Sequence, residues 1–180
     1  AESGRKSRQA IRHLRDANPG AVIAVCGCYA QVSTEDIDAL GVDLIGGSAN
    51  RSAFVNKLEE VYSDRSRVKD IDEALRRRSF EALPAGKMPG RTRAMLKIED
   101  GCDNFCSYCI IPYARGPVRS MPTETAVSEA KRLSSEGFKE IIVTGIEIAS
   151  YGKDLKTGIK LEDVICDICA AAPEARIRLG

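Results

Sequence analysis

The sequence predicts an α/β fold, because short apolar runs of strand length alternate with amphipathic stretches of helical length. Two such alternations cover residues 1–62 and 93–180, and a polar segment rich in Arg, Pro and Gly lies between them. Alternating strands and helices favour parallel sheets with right-handed crossovers. We therefore expect two domains joined by a linker over residues 63–92, with one short element around 71–80.

The first segment alternates in the way that is typical of a doubly wound α/β domain. An apolar face at helical spacing predicts a helix over 4–17, which ends at an Asn-Pro-Gly break. The remaining elements follow from short apolar runs and helix-start signals. Strands are expected at 21–25 and 42–45, and helices at 34–40 and 51–62.

The second segment predicts a βαβαβ order. Its strands are expected at 93–98, 140–144 and 176–179, and its helices at 124–136 and 161–171. Thr123 is a plausible N-cap of the first of these helices and Gly137 a plausible residue just beyond its end. This order predicts parallel strands.

Four arginines follow one another at helical spacing along the first helix. Arg5, Arg8, Arg12 and Arg15 form a basic stripe. The stripe can contact RNA phosphates, but a solvated helix face is the more economical interpretation, because charge patterns alone are weak indicators. His13 is expected at the surface.

Three cysteines within eight residues are the most informative feature of the chain. Cys102, Cys106 and Cys109 have the spacing C-x3-C-x2-C. A [4Fe–4S] cluster ordinarily takes four thiolates, so three leave one iron open to another ligand. Phe105 and Tyr108 can supply apolar cover. A structural zinc site would need four ligands, usually as two pairs.

The triplet, with an aromatic residue before its third cysteine, resembles the signature of the radical S-adenosylmethionine (SAM) enzymes. The resemblance implies that the amino and carboxylate groups of SAM chelate the open iron. It also implies that one electron cleaves SAM to methionine and a 5′-deoxyadenosyl radical. The demanding chemistry then belongs to the cofactor, which the protein positions.

The flanking sequences resemble those of the methylthiotransferases within that superfamily. These segments are Gly27-Cys-Tyr-Ala-Gln31, Lys97-Ile-Glu-Asp-Gly-Cys102, Cys109-Ile-Ile-Pro-Tyr-Ala-Arg-Gly116 and Thr144-Gly-Ile-Glu-Ile-Ala-Ser-Tyr-Gly152. The first and last are most similar to the branch that acts on threonylcarbamoyladenosine at tRNA position 37. Branches acting on isopentenyladenosine tRNA or a ribosomal-protein aspartate are alternatives. An iron–sulfur electron carrier or sensor without SAM chemistry is another, although a carrier usually has a fourth nearby cysteine.

The resemblance also assigns individual residues. It implies that Cys28 is a ligand of a second [4Fe–4S] cluster, and that Tyr108, Thr144 and Gly145 lie at the SAM site. It implies a partial TIM-type barrel after the doubly wound domain, and an internal fragment that is inactive alone. The implied partners are a tRNA anticodon loop, a reducing electron donor and a sulfur source.

Composition indicates the cellular location and the chemical state of the cysteines. The net charge is +1, and the chain has seven cysteines. No apolar run reaches membrane-spanning length and no signal peptide is visible, so we expect cytoplasmic thiols and metal rather than disulfides. Cys26 is expected in the core, as are Cys166 and Cys169 on an apolar helix. Arg115 and Arg119 can pair with a carboxylate or phosphate, or form surface salt bridges.

Overall fold

The computed structural model describes residues 2–84, 90 and 92–180. It divides into two compact units, each mixed α/β with a parallel sheet. The first unit comprises the chain up to Leu75 together with Tyr113–Arg115. The second comprises Arg76–Pro112 and Gly116–Gly180.

The first unit is a three-stranded parallel sheet with helices packed on it. Its elements are, in order, α1 (Glu2–Ala17), β1 (Ala24–Cys26), α2 (Cys28–Val32), α3 (Thr34–Asp38), β2 (Leu44–Gly46), α4 (Arg51–Asp64) and β3 (Val68–Asp70). The strand order is β1-β2-β3. The buried core consists of Ile11, Ile23, Ala30, Ile37, Val42 and Ile45.

The second unit is built on a three-stranded parallel sheet and a small antiparallel pair. Its elements are β4 (Arg93–Lys97), β5 (Glu99–Asp100), α5 (Ile111–Arg115, whose last three residues belong to the first unit), β6 (Arg119–Ser120), α6 (Thr123–Ser135), β7 (Glu140–Thr144), α7 (Leu161–Ala171) and β8 (Arg176–Leu179). The parallel sheet has the order β4-β7-β8, and β5 pairs with β6.

Alternation along the strands decides which face of the second sheet is covered. Leu96 of β4 and Ile141 and Val143 of β7 are buried in one apolar cluster. Ala126, Ala130 and Leu133 of α6 and Val164 and Ile168 of α7 belong to the same cluster. Because side chains alternate along a strand, Met95 points to the opposite face and is 60% exposed.

The predicted elements are confirmed, with small shifts at their ends. The strands 140–144 and 176–179 and the helix 161–171 have the predicted bounds. The first unit extends past residue 62 because Val68–Asp70 pairs with β2. A 3-10 turn at Ala74–Arg76 lies where a short element was expected. Linker residues 85–89 and 91 lie outside the described residues.

Two local predictions at α6 had opposite outcomes. Thr123 is already the first helical residue and the N-cap is Pro122, so the N-cap prediction was wrong. The proline provides no backbone N–H and carries extended backbone angles, which suit the position before a helix. Gly137 follows the last turn with φ +91°, which confirms the prediction at that end.

Three cysteines expected in the core are exposed instead. Cys26 ends β1, and Cys166 and Cys169 lie on α7. Val164 and Ile168 are the buried positions of that helix. At 3.6 residues per turn, residues 166 and 169 point away from this face, which explains their exposure.

The basic stripe on α1 is engaged largely within its own unit. Arg5 pairs with Glu2 at 2.7 Å, and Arg15 donates to the Gly41 carbonyl at 2.6 Å. Arg8 donates to the hydroxyl of Tyr29. His13 is exposed, as expected. These contacts give the stripe a structural role and weaken its interpretation as an RNA surface.

No helix within the described part of the chain is long and apolar enough to cross a membrane.

Replacing Leu96 with Ala is expected to lower the free energy of unfolding by about 2–5 kcal/mol, because it leaves a cavity at a side chain that is 2% exposed. Met95→Ala at the neighbouring, exposed position is the matched control and should cost less than about 1 kcal/mol. Urea unfolding followed by circular dichroism measures both. Equal losses for the two variants would contradict the assigned faces of β4.

Candidate cluster and cofactor site

The three cysteines of the triplet lie on one loop whose ends are fastened together. We call residues 101–118 the cysteine loop. At its base, Glu99 pairs with Ser120 and Asp100 with Arg119 in an antiparallel ladder. Further in, the Cys102 N–H donates to the Gly116 carbonyl at 3.0 Å. The loop is therefore closed immediately beside its first cysteine.

Gly101 permits this closure. Its φ is +96°, in the region that favours glycine, and a Cβ atom there would lie 2.0 Å from the carbonyl oxygen of Pro117. Any other residue would force the two ends of the loop apart.

The thiols of the cysteine loop are accessible. Cys106 is exposed, whereas Cys102 and Cys109 are half-buried, and a turn joins the Cys109 N–H to the Cys106 carbonyl at 2.9 Å. All seven cysteines of the chain are free thiols. Among the described residues, no group of three His, Cys, Asp or Glu side chains is already gathered around a metal position. The donor set, three free thiols on one anchored loop, has the chemistry that an iron–sulfur cluster requires.

A charged group lies under the cysteine loop. The side chain of Arg119 is buried and donates to the Pro117 carbonyl at 2.6 Å. Its guanidinium lies 3.7 Å from Asp100, which also pairs with Lys97 at 3.0 Å. Arg119 is thus a buried support of the loop base, and its interpretation as a surface salt bridge is wrong. The cause is the β5–β6 pairing, which places Arg119 opposite Asp100.

The segment after β7 is fastened to the residues that leave the cysteine loop. We call residues 145–155 the β7 loop. Asp154 accepts hydrogen bonds from the Ser120 N–H at 2.9 Å and from the Ser120 hydroxyl at 2.6 Å. The hydroxyl of Tyr151 donates to the Met121 carbonyl at 2.8 Å. The position of the β7 loop therefore depends on the strand that closes the cysteine loop.

Glu99 holds the start of the β7 loop, whereas Asp154 holds its end. The side chain of Glu99 is fully buried, and Oε2 accepts the Glu147 N–H at 2.8 Å. Its Oε1 has no hydrogen-bond partner among the described residues. Burial raises the pKa of Glu99 to about 7, and the nearby carboxylates of Asp100 and Glu147 add to the effect, while the backbone amides of Glu147 and Ile146 oppose it.

The predicted SAM-site residues lie at the end of β7, at the start of the β7 loop and in the cysteine loop. Thr144 pairs with Lys97 across the β4–β7 ladder, and its carbonyl accepts the Ile98 N–H at 2.9 Å. Thr144 and Gly145 are thus next to the strand that leads into the cysteine loop. Tyr108 lies within the cysteine loop and its side chain is 90% exposed.

Cys28 is the first residue of α2, in the first unit. Gly27 precedes it with φ +113°, and the Gly27 N–H donates to the Gly47 carbonyl at 3.0 Å. The Cys28 thiol is half-buried and accepts a hydrogen bond from Arg115 Nε at 3.0 Å. Arg115 therefore contacts the sulfur atom of Cys28.

The rest of the Gly-Cys-Tyr-Ala-Gln segment holds the first unit together. Gln31 donates to the Asp72 carbonyl at 2.7 Å and accepts the Ser48 N–H at 3.1 Å. It links the segments that follow β2 and β3. Ala30 is fully buried. Cys28 is thus displayed on a short helix whose other residues are fixed by packing and hydrogen bonds.

Sequence reasoning did not find Glu99, Tyr151 or Asp154 as site residues. Glu99 and Tyr151 lie within segments that carried the family resemblance, but no pattern in the sequence marks a glutamate as buried. Each of the three contacts residues 30 to 48 positions away.

A known protein family matches the segment that contains this site. Residues 96–178 match the model of the radical SAM superfamily. The match begins on β4, includes the cysteine loop and the β7 loop, and ends on β8.

The chain is also similar to named methylthiotransferases. It is 41% identical over 153 residues to threonylcarbamoyladenosine tRNA methylthiotransferase MtaB of Bacillus subtilis (strain 168), an alignment that covers 84% of this chain and 34% of the relative. It is 34% identical over 180 residues to MtaB of Thermotoga maritima, covering 99% of this chain and 40% of the relative.

A relative with another name has comparable similarity. The chain is 37% identical over 172 residues to tRNA-2-methylthio-N(6)-dimethylallyladenosine synthase of Natranaerobius thermophilus, covering 93% of this chain and 38% of the relative. The chain spans between about a third and two fifths of the length of these curated relatives.

Glu99 predicts a specific dependence of stability on pH. Its carboxyl is protonated in both states below its usual pKa of 4.5, but between that value and about 7 only the folded state retains the proton. The contribution of Glu99 to stability is therefore present at low pH and lost as the pH rises through about 7. Glu99→Gln removes this loss. The free energy of unfolding of this variant, relative to that of the wild type, should therefore rise by roughly 3 kcal/mol between pH 4.5 and about 7.

Urea unfolding at pH values on both sides of the window measures this difference. Glu162→Gln replaces an exposed glutamate of the same unit and is the control. The prediction fails if Glu99→Gln and Glu162→Gln show the same dependence on pH.

Proposed function

We propose that the full-length protein containing this chain is a tRNA methylthiotransferase that adds a methylthio group to C2 of threonylcarbamoyladenosine at tRNA position 37. The anchored loop with three free thiols carries the proposal. It is supported by the radical SAM match and by the 41% identity to a protein named for this activity.

In this proposal Cys102, Cys106 and Cys109 would hold a [4Fe–4S] cluster and leave one iron for SAM. When bound, the cluster supplies the electron that cleaves SAM. Tyr108, Thr144 and Gly145 contact SAM. Their position supports this assignment, because ligand sites lie beyond the carboxyl ends of parallel strands, where β4 and β7 end.

Cys28 would be one ligand of a second [4Fe–4S] cluster. Its place directly after β1, at the carboxyl end of a parallel strand, supports this role, and so does the Arg115 Nε–H that points at its sulfur. The other ligands would come from parts of the full-length protein outside this chain. This fragment alone is therefore expected to be inactive.

The reaction explains why a radical mechanism is needed. C2 of adenine carries an unactivated C–H bond, on which acid–base catalysis has little effect, whereas a carbon radical can form a C–S bond. The target base lies in a loop of the tRNA, so it can be splayed into a pocket without opening a duplex.

We also propose a more detailed fold for each unit, a cellular location and a set of partners. The first unit is part of a doubly wound domain, and β4-β7-β8 with α6 and α7 begins a partial TIM-type barrel; the parallel order of consecutive strands supports this. The protein acts in the cytoplasm, with a tRNA anticodon loop as substrate and with an electron donor and a sulfur source as partners.

Radical SAM chemistry can be tested by reconstituting the full-length protein with iron and sulfide and reducing it with SAM present. We expect 5′-deoxyadenosine to form, and Cys106→Ser to abolish its formation because the cluster loses a ligand. Cys166→Ser is the matched control, since it removes an exposed thiol outside the loop. If the wild type forms no 5′-deoxyadenosine, the carrier or sensor alternative replaces this proposal.

The substrate can be tested by mass spectrometry of tRNA nucleosides from a strain that lacks the gene. We expect methylthio-threonylcarbamoyladenosine to disappear and to return with the wild-type gene but not with Cys106→Ser. Loss of methylthio-isopentenyladenosine instead would indicate the branch of the Natranaerobius relative. Unchanged tRNA together with an unmodified ribosomal-protein aspartate would indicate the third branch.

A further inference from the structure

Glu99 is a buried carboxyl for which the proposed chemistry gives no explanation. Burying a carboxyl is costly, and leaving one of its oxygens without a partner is more so. Oε1 has no hydrogen-bond partner among the described residues, whereas Oε2 accepts the backbone amide of Glu147 at 2.8 Å. An arrangement with this cost calls for a role beyond filling space.

The hydrogen bond between Glu99 and Glu147 lies where the β4–β7 ladder ends. The β4–β7 ladder ends at Lys97 and Thr144, and the last bond joins the Ile98 N–H to the Thr144 carbonyl. From Glu99 onward the chain pairs with β6 instead. The pairing of β7 with β4 therefore ends at Thr144, and beyond it the side chain of Glu99 accepts the Glu147 N–H.

Gly145 completes the arrangement. A Cβ atom at Gly145 would lie 2.7 Å from Glu99 Oε2 and 2.9 Å from Glu99 Cβ, both closer than real contacts allow. The carboxylate can therefore reach the Glu147 amide only because residue 145 has no side chain. Glu99 and Gly145 form a matched pair at the start of the β7 loop.

The pair also links two segments of the proposed cofactor site. Glu99 lies three residues before Cys102, and Gly145 begins the loop that Asp154 ties to Ser120, on the strand that leaves the cysteine loop. The backbone of the β7 loop is thus held from both sides by the two strands that border the cysteine loop.

We propose that Glu99 is a positioning residue for SAM: it accepts the amide of Glu147 and so sets the backbone of residues 145–147 against the cysteine loop. This inference rests on the proposed function, since it assumes that SAM binds at this edge of the sheet. Glu99 does not bind the cluster. Its effect on SAM passes through the backbone that it holds.

Hydrogen exchange on this chain directly tests the hydrogen bond between Glu99 and the β7 loop. Glu99→Met has a similar length but no acceptor, and should raise the exchange rate of the Glu147 amide by about tenfold or more. Glu99→Gln keeps an acceptor oxygen and should stay within about threefold of the wild type. Glu162→Met, on an exposed helix position, is the control and should leave the exchange of this amide unchanged.

SAM affinity of the reconstituted full-length protein tests the consequence. Glu99→Met should raise the Kd for SAM by about tenfold or more with the iron content unchanged, and Glu99→Gln should largely restore the affinity. Gly145→Ala displaces Glu99 from the other side and should also raise the exchange rate of the Glu147 amide by about tenfold or more. It serves as the second variant in the exchange experiment if Glu99→Met does not fold, because Gly145 is itself assigned to SAM contact.

The outcomes that contradict the inference are distinct. An unchanged Kd for SAM in a Glu99→Met protein with a faster exchanging Glu147 amide would reduce Glu99 to a purely structural role and overturn it. A fall in iron content that accounts for the lost affinity would also overturn it, because Glu99 would then act through the cluster. Failure of the wild-type holoprotein to bind SAM would instead overturn the proposed function.

Discussion

The closure of the cysteine loop is the constraint on which the rest of the site depends. Two residues of β5 pair with two of β6, and Gly101 brings the ends of the loop within reach of each other. Without this closure the three thiols would lie on a long flexible connection, and ordering them around a cluster would cost more conformational entropy. The ladder therefore prepares the loop before any ligand binds.

The same ladder determines where the β7 loop lies. Glu99 on β5 holds its beginning, while Ser120 on β6 binds Asp154 near its end. A single pair of short strands thus positions two segments at the carboxyl edge of the parallel sheet. This explains the unusual burial of charge there, since Glu99, Asp100 and Arg119 all serve as supports. Buried charged groups of this kind favour a fixed geometry at some cost in stability.

The elements with strong local signals could be predicted, and those that depend on distant partners could not. The strand at 140–144 is a continuous apolar run, and its bounds are confirmed. β3, with the sequence Val-Lys-Asp, has no such run and becomes a strand only because β2 offers it an edge. The cysteines of α7 were misplaced because an apolar helix does not reveal by composition which of its faces is buried.

The sequence by itself determined the α/β class, most of the strands and helices, and the three thiols whose spacing indicates an iron–sulfur cluster with an open iron. These features depend on residue type and local spacing, which a single chain displays directly. Only the tertiary structure decided that Glu99 is buried, that Gly145 must lack a side chain and that Arg119 supports the loop base. Those roles arise from hydrogen bonds and close approaches between segments up to 48 residues apart, and no local pattern encodes them.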